Sequence, residues 1–171
     1  MVSTTTVSVE EYLKTSFDDG DREYVDGRIV ERNLGEFDHS DLQSSIAVYL
    51  RFHYKQFWSG VAIRVPVKRT RFRVPDVCVA QDPRPERGIL TSPPFLVVEV
   101  LSKDDRVDDL QEKIDDYLSL GVKYVWVVNS RARRGYIHTA EGSREAKDGV
   151  LRTQDPEIEV PLSEVLSPQQ P

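Results

Sequence analysis

At 171 residues, with 39% hydrophobic and 30% charged residues, the chain has the composition of a globular protein of one domain, residues 1–171. Its net charge of −6 argues against a protein that coats nucleic acid non-specifically, because phosphate contacts need an excess of Lys and Arg. No apolar run approaches a membrane span, no signal-peptide pattern opens the sequence, and the single cysteine, Cys78, cannot form an internal disulfide. We therefore expect a cytoplasmic protein without membrane association.

The first predicted elements are a short helix, a hairpin and a long helix. Ser8 and Glu11 have the spacing of a capping box, which indicates a helix start. The stretch "REYVDGRIVER" predicts two short strands joined at Asp26-Gly27, a pair that tight two-residue hairpins favour. Residues 39–58 place apolar side chains at helical spacing and are predicted to form the first long helix.

The middle of the chain predicts strands and a loop. "VAIRVPV" and "RFRVPDVCVA" are typical of strands, with a basic bend between them. Four prolines then mark residues 82–94 as an irregular loop. "PFLVVEVLS" is apolar on both faces, as expected of a central strand in a sheet that is covered on each side.

A second helix and several strands complete the prediction. The apolar residues from Val107 to Leu118 have helical spacing, and Gly121 stands where helices commonly end. "KYVWVVN" is predicted to be a buried strand, and "GYIHTA", "GVLRT" and "IEVP" short outer strands. The order predicts an α/β fold, a mixed β-sheet flanked by helices, with a β-α-β crossover at about 95–129.

Two acidic residues interrupt the buried strands. Asp76 shares a strand face with Cys78, and Glu99 shares one with Val97, so each carboxylate lies among apolar neighbours. A buried carboxylate persists only if it is protonated, paired with a cation or bound to a metal. Lys113 falls roughly 90° from the centre of the apolar stripe of the second helix, so its ammonium can reach the same place.

Two carboxylates and a lysine suit phosphodiester hydrolysis. Carboxylate oxygens are ligands for Mg²⁺, and Mn²⁺ is a possible substitute. A bound ion acidifies water and offsets transition-state charge, and a lysine can position the attacking water. The alternative from spacing alone is a purely structural ion pair between the acids and Lys113.

A basic strip precedes the first of these acids. Arg69, Arg71 and Arg73 alternate along one predicted strand, with no acid between Arg64 and Arg73. Such a strip can be a solvated sheet edge that blocks edge-to-edge pairing. Beside a nuclease site, it is equally a candidate for binding the phosphate backbone of nucleic acid.

Four stretches, taken in order and spacing, resemble a known family: "EYVDGRIV", "HSDLQSSIAVYL", "RVPDVCVA" and "LVVEVLSKDDRVDDLQEKIDDYLSLGVKYVWVV". They are similar to the Uma-two family, described as putative restriction endonucleases, which belongs to the PD-(D/E)XK nuclease superfamily. The resemblance covers a motif-bearing core of about residues 8–140. It implies a restriction-endonuclease-like fold.

By that resemblance, Asp76 and Glu99 look like the two metal ligands of the superfamily. The superfamily usually places its lysine two residues after the second acid, where this chain has Leu101. In the Uma-two family the lysine lies instead on the following helix, which matches Lys113. The residues implied to be catalytic therefore include Asp76, Glu99 and Lys113.

The resemblance also implies supporting residues and partners. Glu23 matches an acid of the family that is a candidate further ligand, and His39 matches a position suited to phosphate contact or acid/base work. The implied function is a metal-dependent endonuclease acting on nucleic acid, DNA in the first place, as a homodimer by analogy. The alternative is a catalytically inactive nuclease fold that binds nucleic acid or protein.

Overall fold

A computed structural model describes residues 6–18, 20–32, 37–81, 89–90 and 92–168. The helices of the described residues are α1 Val9–Lys14, α2 Phe37–His53, α3 Val107–Leu120 and α4 Leu162–Val165. The strands are β1 Glu23–Val25, β2 Arg28–Val30, β3 Trp58–Val61, β4 Val65–Lys68, β5 Arg71–Arg73, β6 Val77–Ala80, β7 Leu96–Val100, β8 Tyr124–Asn129, β9 Arg134–Thr139, β10 Gly142–Glu145, β11 Val150–Thr153 and β12 Ile158–Pro161.

The largest sheet has the strand order β10-β9-β8-β7-β6-β3. Strands β7 and β8 are parallel and are connected through α3, while their outer neighbours are antiparallel. The predicted β-α-β crossover is therefore confirmed. Both faces of β7 are buried, as its uninterrupted apolar sequence indicated.

A helix covers each face of this sheet. Leu42, Ile46 and Leu50 of α2 belong to the hydrophobic core on one face, which also contains Trp126. Ile114 of α3 belongs to the core on the other face. The mixed α/β architecture with helices on both faces agrees with the prediction.

A second sheet, with the order β2-β1-β5-β4, carries the predicted hairpin. Asp26 and Gly27 at its turn have positive φ angles of 48° and 91°, the conformation that favours an Asp-Gly pair. Tyr12, Tyr24 and Phe72 form an aromatic core between this sheet and α1. Strands β11 and β12 pair separately as a two-stranded sheet.

The helix ends follow local signals in two cases and tertiary pairing in a third. Ser8 caps α1 in a capping box, and the N–H of Gly121, at φ 103°, donates to the last turn of α3. The predicted helix at 39–58 ends at His53, because Trp58 pairs with Ala80 in the large sheet. Its apolar spacing continues past the helix because Phe57 still packs against the core.

The two strands predicted between Val61 and Ala80 are each divided: Ala62, with a positive φ of 49°, separates β3 from β4, and Pro75 lies between β5 and β6. Strands β3 and β6 belong to the large sheet, whereas β4 and β5 belong to the small one. Strand β10 and helix α4 were not predicted, and the polar sequence "GSRE" of β10 has no apolar alternation to reveal it. The predicted loop at 82–94 lies partly outside the described residues. Within the described part of the chain, no helix has the length and apolarity needed to cross a lipid bilayer.

Candidate active site

The register of the large sheet brings the two buried acids together. Strands β6 and β7 are antiparallel, with Val77 opposite Val98, and continuing this register by one residue places Asp76 across from Glu99. Asp76 itself lies in the bend that immediately precedes β6. The backbone N–H of Val100 donates to Oδ2 of Asp76 at 2.7 Å, which ties the acid to β7. Both acids are buried.

Lys113 extends from α3 to the same place. Its Nζ lies 3.1 Å from Oε1 of Glu23 and 3.6 Å from Oε2 of Glu99. The helix packs on the sheet face towards which Glu99 points, so the lysine stem follows that face while 21% of the side chain stays exposed. The structure thus brings Asp76, Glu99, Lys113 and Glu23 together.

Glu23 is the first residue of β1 and is held from two sides. Its Oε2 accepts a 2.9 Å hydrogen bond from Nη1 of Arg73, and its Oε1 accepts one from the N–H of Val74 at 3.3 Å. With Lys113 on Oε1 as well, this buried carboxylate joins the small sheet to α3. Glu23 is therefore a buried and fully engaged acid, although it stands at the start of a short strand.

Two further residues contact Asp76. His39, in the first turn of α2, places Nε2 3.3 Å from Oδ2 of Asp76, and Nη2 of Arg32 lies 2.5 Å from Oδ1. Both side chains are 6% exposed. Sequence reasoning did not identify Arg32. The available signal was only that a buried acid needs a cation, which does not select one of the 23 basic residues.

Tyr117 holds the second acid. It lies one helical turn beyond Lys113, is fully buried, and donates its hydroxyl proton to Oε1 of Glu99 at 2.7 Å. Its ring belongs to the hydrophobic core under α3, and its hydroxyl connects this core to Glu99. A phenol that is buried among apolar side chains usually finds such a polar partner.

The cluster shifts the protonation equilibria of its members. Burial, reinforced by the charge of Asp76, raises the pKa of Glu99 to about 7 against the opposing effect of Lys113. Burial would raise the pKa of Asp76 too, but His39 and Arg32 outweigh it and lower that pKa. For Lys113, burial is outweighed by the surrounding carboxylates, so its pKa is raised and its ammonium stays charged.

The predicted basic strip does not form one exposed face. Arg69 is exposed, in the turn between β4 and β5. Arg73 is buried, with hydrogen bonds of 2.9 Å from Nε to Asp116 and from Nη2 to Glu112. Arg71 donates to the same Glu112 at 2.8 Å. Arg71 and Arg73 are two positions apart and therefore point to the same, inner side of β5. There both form ion pairs with acids of α3, and Arg73 also pairs with Glu23.

A cavity of about 220 Å³ opens beside Glu99 and Lys113. Its wall includes Glu23, Arg32, Leu101 and Arg106, and it has room for a phosphate group with several waters. Asp76 and His39 do not line this cavity. His39 therefore contacts Asp76 rather than the cavity, in contrast to the phosphate contact that the sequence suggested for it.

The donor set of the two opposed acids suits a hard cation. Mg²⁺ is bound through carboxylate oxygens, typically one or two, and keeps several waters or substrate oxygens. Asp76 and Glu99 supply such a pair. Within the described residues, no group of three or more His, Cys, Asp or Glu side chains is arranged to hold an ion. Glu99 borders the open cavity, which leaves room for the waters that Mg²⁺ keeps.

Comparisons with known proteins agree with this architecture. The model of the Uma2 family, described as "Putative restriction endonuclease", matches residues 9–168. A solved structure from Anabaena variabilis ATCC 29413, described as a putative nuclease belonging to DUF820, superposes with a TM-score of 0.79. The identity is 18%, and the match covers 94% of this chain and 97% of the other. The search of curated proteins finds no significant match.

Proposed function

The chain belongs to the Uma2 family, and we propose that it is a metal-dependent endonuclease that hydrolyses phosphodiester bonds in nucleic acid, DNA in the first place. The observation that carries this proposal is that Glu99 and Lys113 line one cavity, while Asp76 lies across from Glu99 and is held there by the N–H of Val100. The acids come from neighbouring strands and the lysine from the crossover helix. An ion pair of purely structural use would not need an open cavity beside it.

We assign Asp76 and Glu99 as the ligands of the metal, Mg²⁺ or Mn²⁺. When bound, the ion supplies a more acidic water and offsets negative charge on the phosphodiester. The Asp76 carboxylate is oriented by Val100 and His39, which makes His39 a positioning residue in this proposal. Tyr117 orients Glu99 in the same way.

Lys113 acts as a cation and hydrogen-bond donor. Because the surrounding carboxylates raise the pKa of Lys113 in the metal-free protein, its side chain is a charged ammonium at neutral pH. It can orient the attacking water and stabilise the charge that develops on the phosphate. Glu23 holds Nζ at 3.1 Å from the opposite side and fixes its position at the cavity.

The proposed contacts to nucleic acid lie around this cavity. Of the basic strip, Arg69 remains available for the phosphate backbone, because Arg71 and Arg73 are engaged with acids. Enzymes of this fold often cut two strands as homodimers with one site per strand, so we expect a homodimer by analogy, which sedimentation in the presence of duplex DNA would test.

The experiment is a cleavage assay with purified protein. Plasmid, single-stranded DNA and RNA are each incubated with Mg²⁺, with Mn²⁺ and with EDTA. Lys113→Met should lower cleavage by at least about 100-fold, the size of a typical electrostatic contribution. Lys147→Met is the matched control, because Lys147 is exposed and far along the chain from the site residues. Cleavage by the Lys113 variant at the wild-type rate would refute the assignment.

A second candidate function is an inactive nuclease fold that binds nucleic acid or protein. The observations that favour it are Leu101 at the usual lysine position and the engagement of Asp76 by Arg32. Calorimetric titration with Mn²⁺ separates the two functions. An intact site binds Mn²⁺ in wild type but not in Asp76→Ala, whereas a binding module without a metal site gives no heat in either.

A further inference from the structure

Both carboxylate oxygens of Asp76 are already engaged in the structure. Oδ1 accepts a hydrogen bond from Arg32, and Oδ2 accepts from the N–H of Val100 at 2.7 Å and lies 3.3 Å from His39. The Asp76 side chain is only 3% exposed. A cation bound to this buried carboxylate would lie beside the positive guanidinium of Arg32, and the repulsion between the two charges favours the departure of one partner.

The three partners differ in how easily they can leave. The N–H of Val100 belongs to the backbone of β7, a central strand of the large sheet. His39 is on α2, whose apolar face packs into the core. Arg32 follows the short strand β2, lies in the wall of the cavity and has a long, unbranched side chain. Arg32 is thus the partner that can rotate into free space.

We propose that Arg32 is an exchangeable counter-ion, which neutralises Asp76 in the metal-free protein and turns to a substrate phosphate when a metal takes its place. This inference rests on the metal site proposed above. A guanidinium suits both positions, because it forms charge-assisted hydrogen bonds with carboxylates and with phosphates alike. Since Arg32 already lines the cavity, its rotation keeps it beside the reacting group.

The exchange predicts an unusual effect of removing a basic residue. When a binding-competent state is populated only in part, the apparent affinity is reduced by that fraction. If the state with Arg32 turned away is about 10% populated or less, Arg32→Gln should bind Mn²⁺ about 10-fold more tightly than wild type. A purely structural Arg32 predicts unchanged or weaker binding, because its loss would disorder the site.

The test is calorimetric titration of Mn²⁺ into wild type, Arg32→Gln, Arg32→Lys and Arg28→Gln, with folding checked by circular dichroism. Arg28 is the matched control, since it lies on the same hairpin and is exposed. We expect tighter binding in Arg32→Gln, an intermediate affinity in Arg32→Lys and no change in Arg28→Gln. If Arg32→Gln does not fold, Arg32→Lys provides the test. An affinity of Arg32→Lys for Mn²⁺ that is equal to or weaker than that of wild type overturns the exchange.

A second readout addresses the phosphate. Anisotropy of a labelled DNA duplex, at saturating Mn²⁺ and before turnover, should show weaker binding to Arg32→Gln than to Arg28→Gln. Equal affinities would overturn the phosphate contact. A different result would refute the metal site itself: wild type would bind Mn²⁺ no better than Asp76→Asn does. If wild type binds and Asp76→Asn does not, while Arg32→Gln gains nothing, only the counter-ion inference is lost.

Discussion

Replacement of Arg73 by leucine tests whether this arginine is an internal ion-pair partner or a nucleic-acid contact. Its side chain is 4% exposed and faces Glu23 and Asp116, each 2% exposed. Removal of one partner from a buried pair costs about 3–5 kcal/mol. In the variant, Lys113 still lies beside Glu23, and Lys68 still lies beside Asp116. We therefore expect the free energy of unfolding to fall by about 3 kcal/mol, the lower end of this range. In a chain of 171 residues this lowers Tm by about 6–12 °C.

The assay is urea unfolding at neutral pH, followed by circular dichroism, with Arg69→Leu as the matched control. Arg69 is exposed, and its replacement should change the free energy of unfolding by no more than about 0.5 kcal/mol. If Arg73→Leu is as stable as wild type and loses affinity for DNA as strongly as Arg69→Leu does, the assignment of Arg73 to the interior is wrong.

The remaining predictions concern the second acid and the first helix. The pKa of Glu99 is raised from 4.5 to about 7, so its charge destabilises the metal-free fold as pH rises through this range. Glu99→Gln should therefore be more stable than wild type at pH 8, by at most about 3 kcal/mol, with the difference vanishing near pH 4.5 in chemical unfolding. Tyr117→Phe removes the donor to Glu99, and thermal unfolding should show a loss of about 1–3 kcal/mol. Ser8→Ala breaks the capping box and should cost about 1 kcal/mol in urea unfolding while Mn²⁺ binding is unchanged; a change in Mn²⁺ affinity would contradict the separation of α1 from the site.

The elements that sequence predicted well are those specified by local chemistry. The capping box at Ser8, the Asp26-Gly27 turn and the end of α3 at Gly121 each depend on residues that are near in sequence. The alternation of strand residues also predicted that Asp76 and Glu99 each lie among buried apolar neighbours. Local patterns are sufficient there because backbone geometry alone decides which way a side chain points.

Ion-pair partners could not be predicted in the same way. Arg32 contacts a carboxylate 44 positions away, and Arg73 contacts one 50 positions away. Nothing in a sequence distinguishes a basic residue on the inner side of a strand from one on its outer side when its neighbours are also charged. The position of Arg73 depends on how the small sheet packs against α3, which is a property of the assembled fold.

The pairing of β6 with β7 determines where the chain can accept insertions and deletions. The connection between these strands can gain or lose residues without altering the alignment of Val77 with Val98. An insertion of a single residue between Asp76 and Val77 would instead displace the aspartate from the position at which the N–H of Val100 and His39 contact it. Insertional scanning across residues 74–100 should therefore give variants that retain metal binding only in the connecting segment.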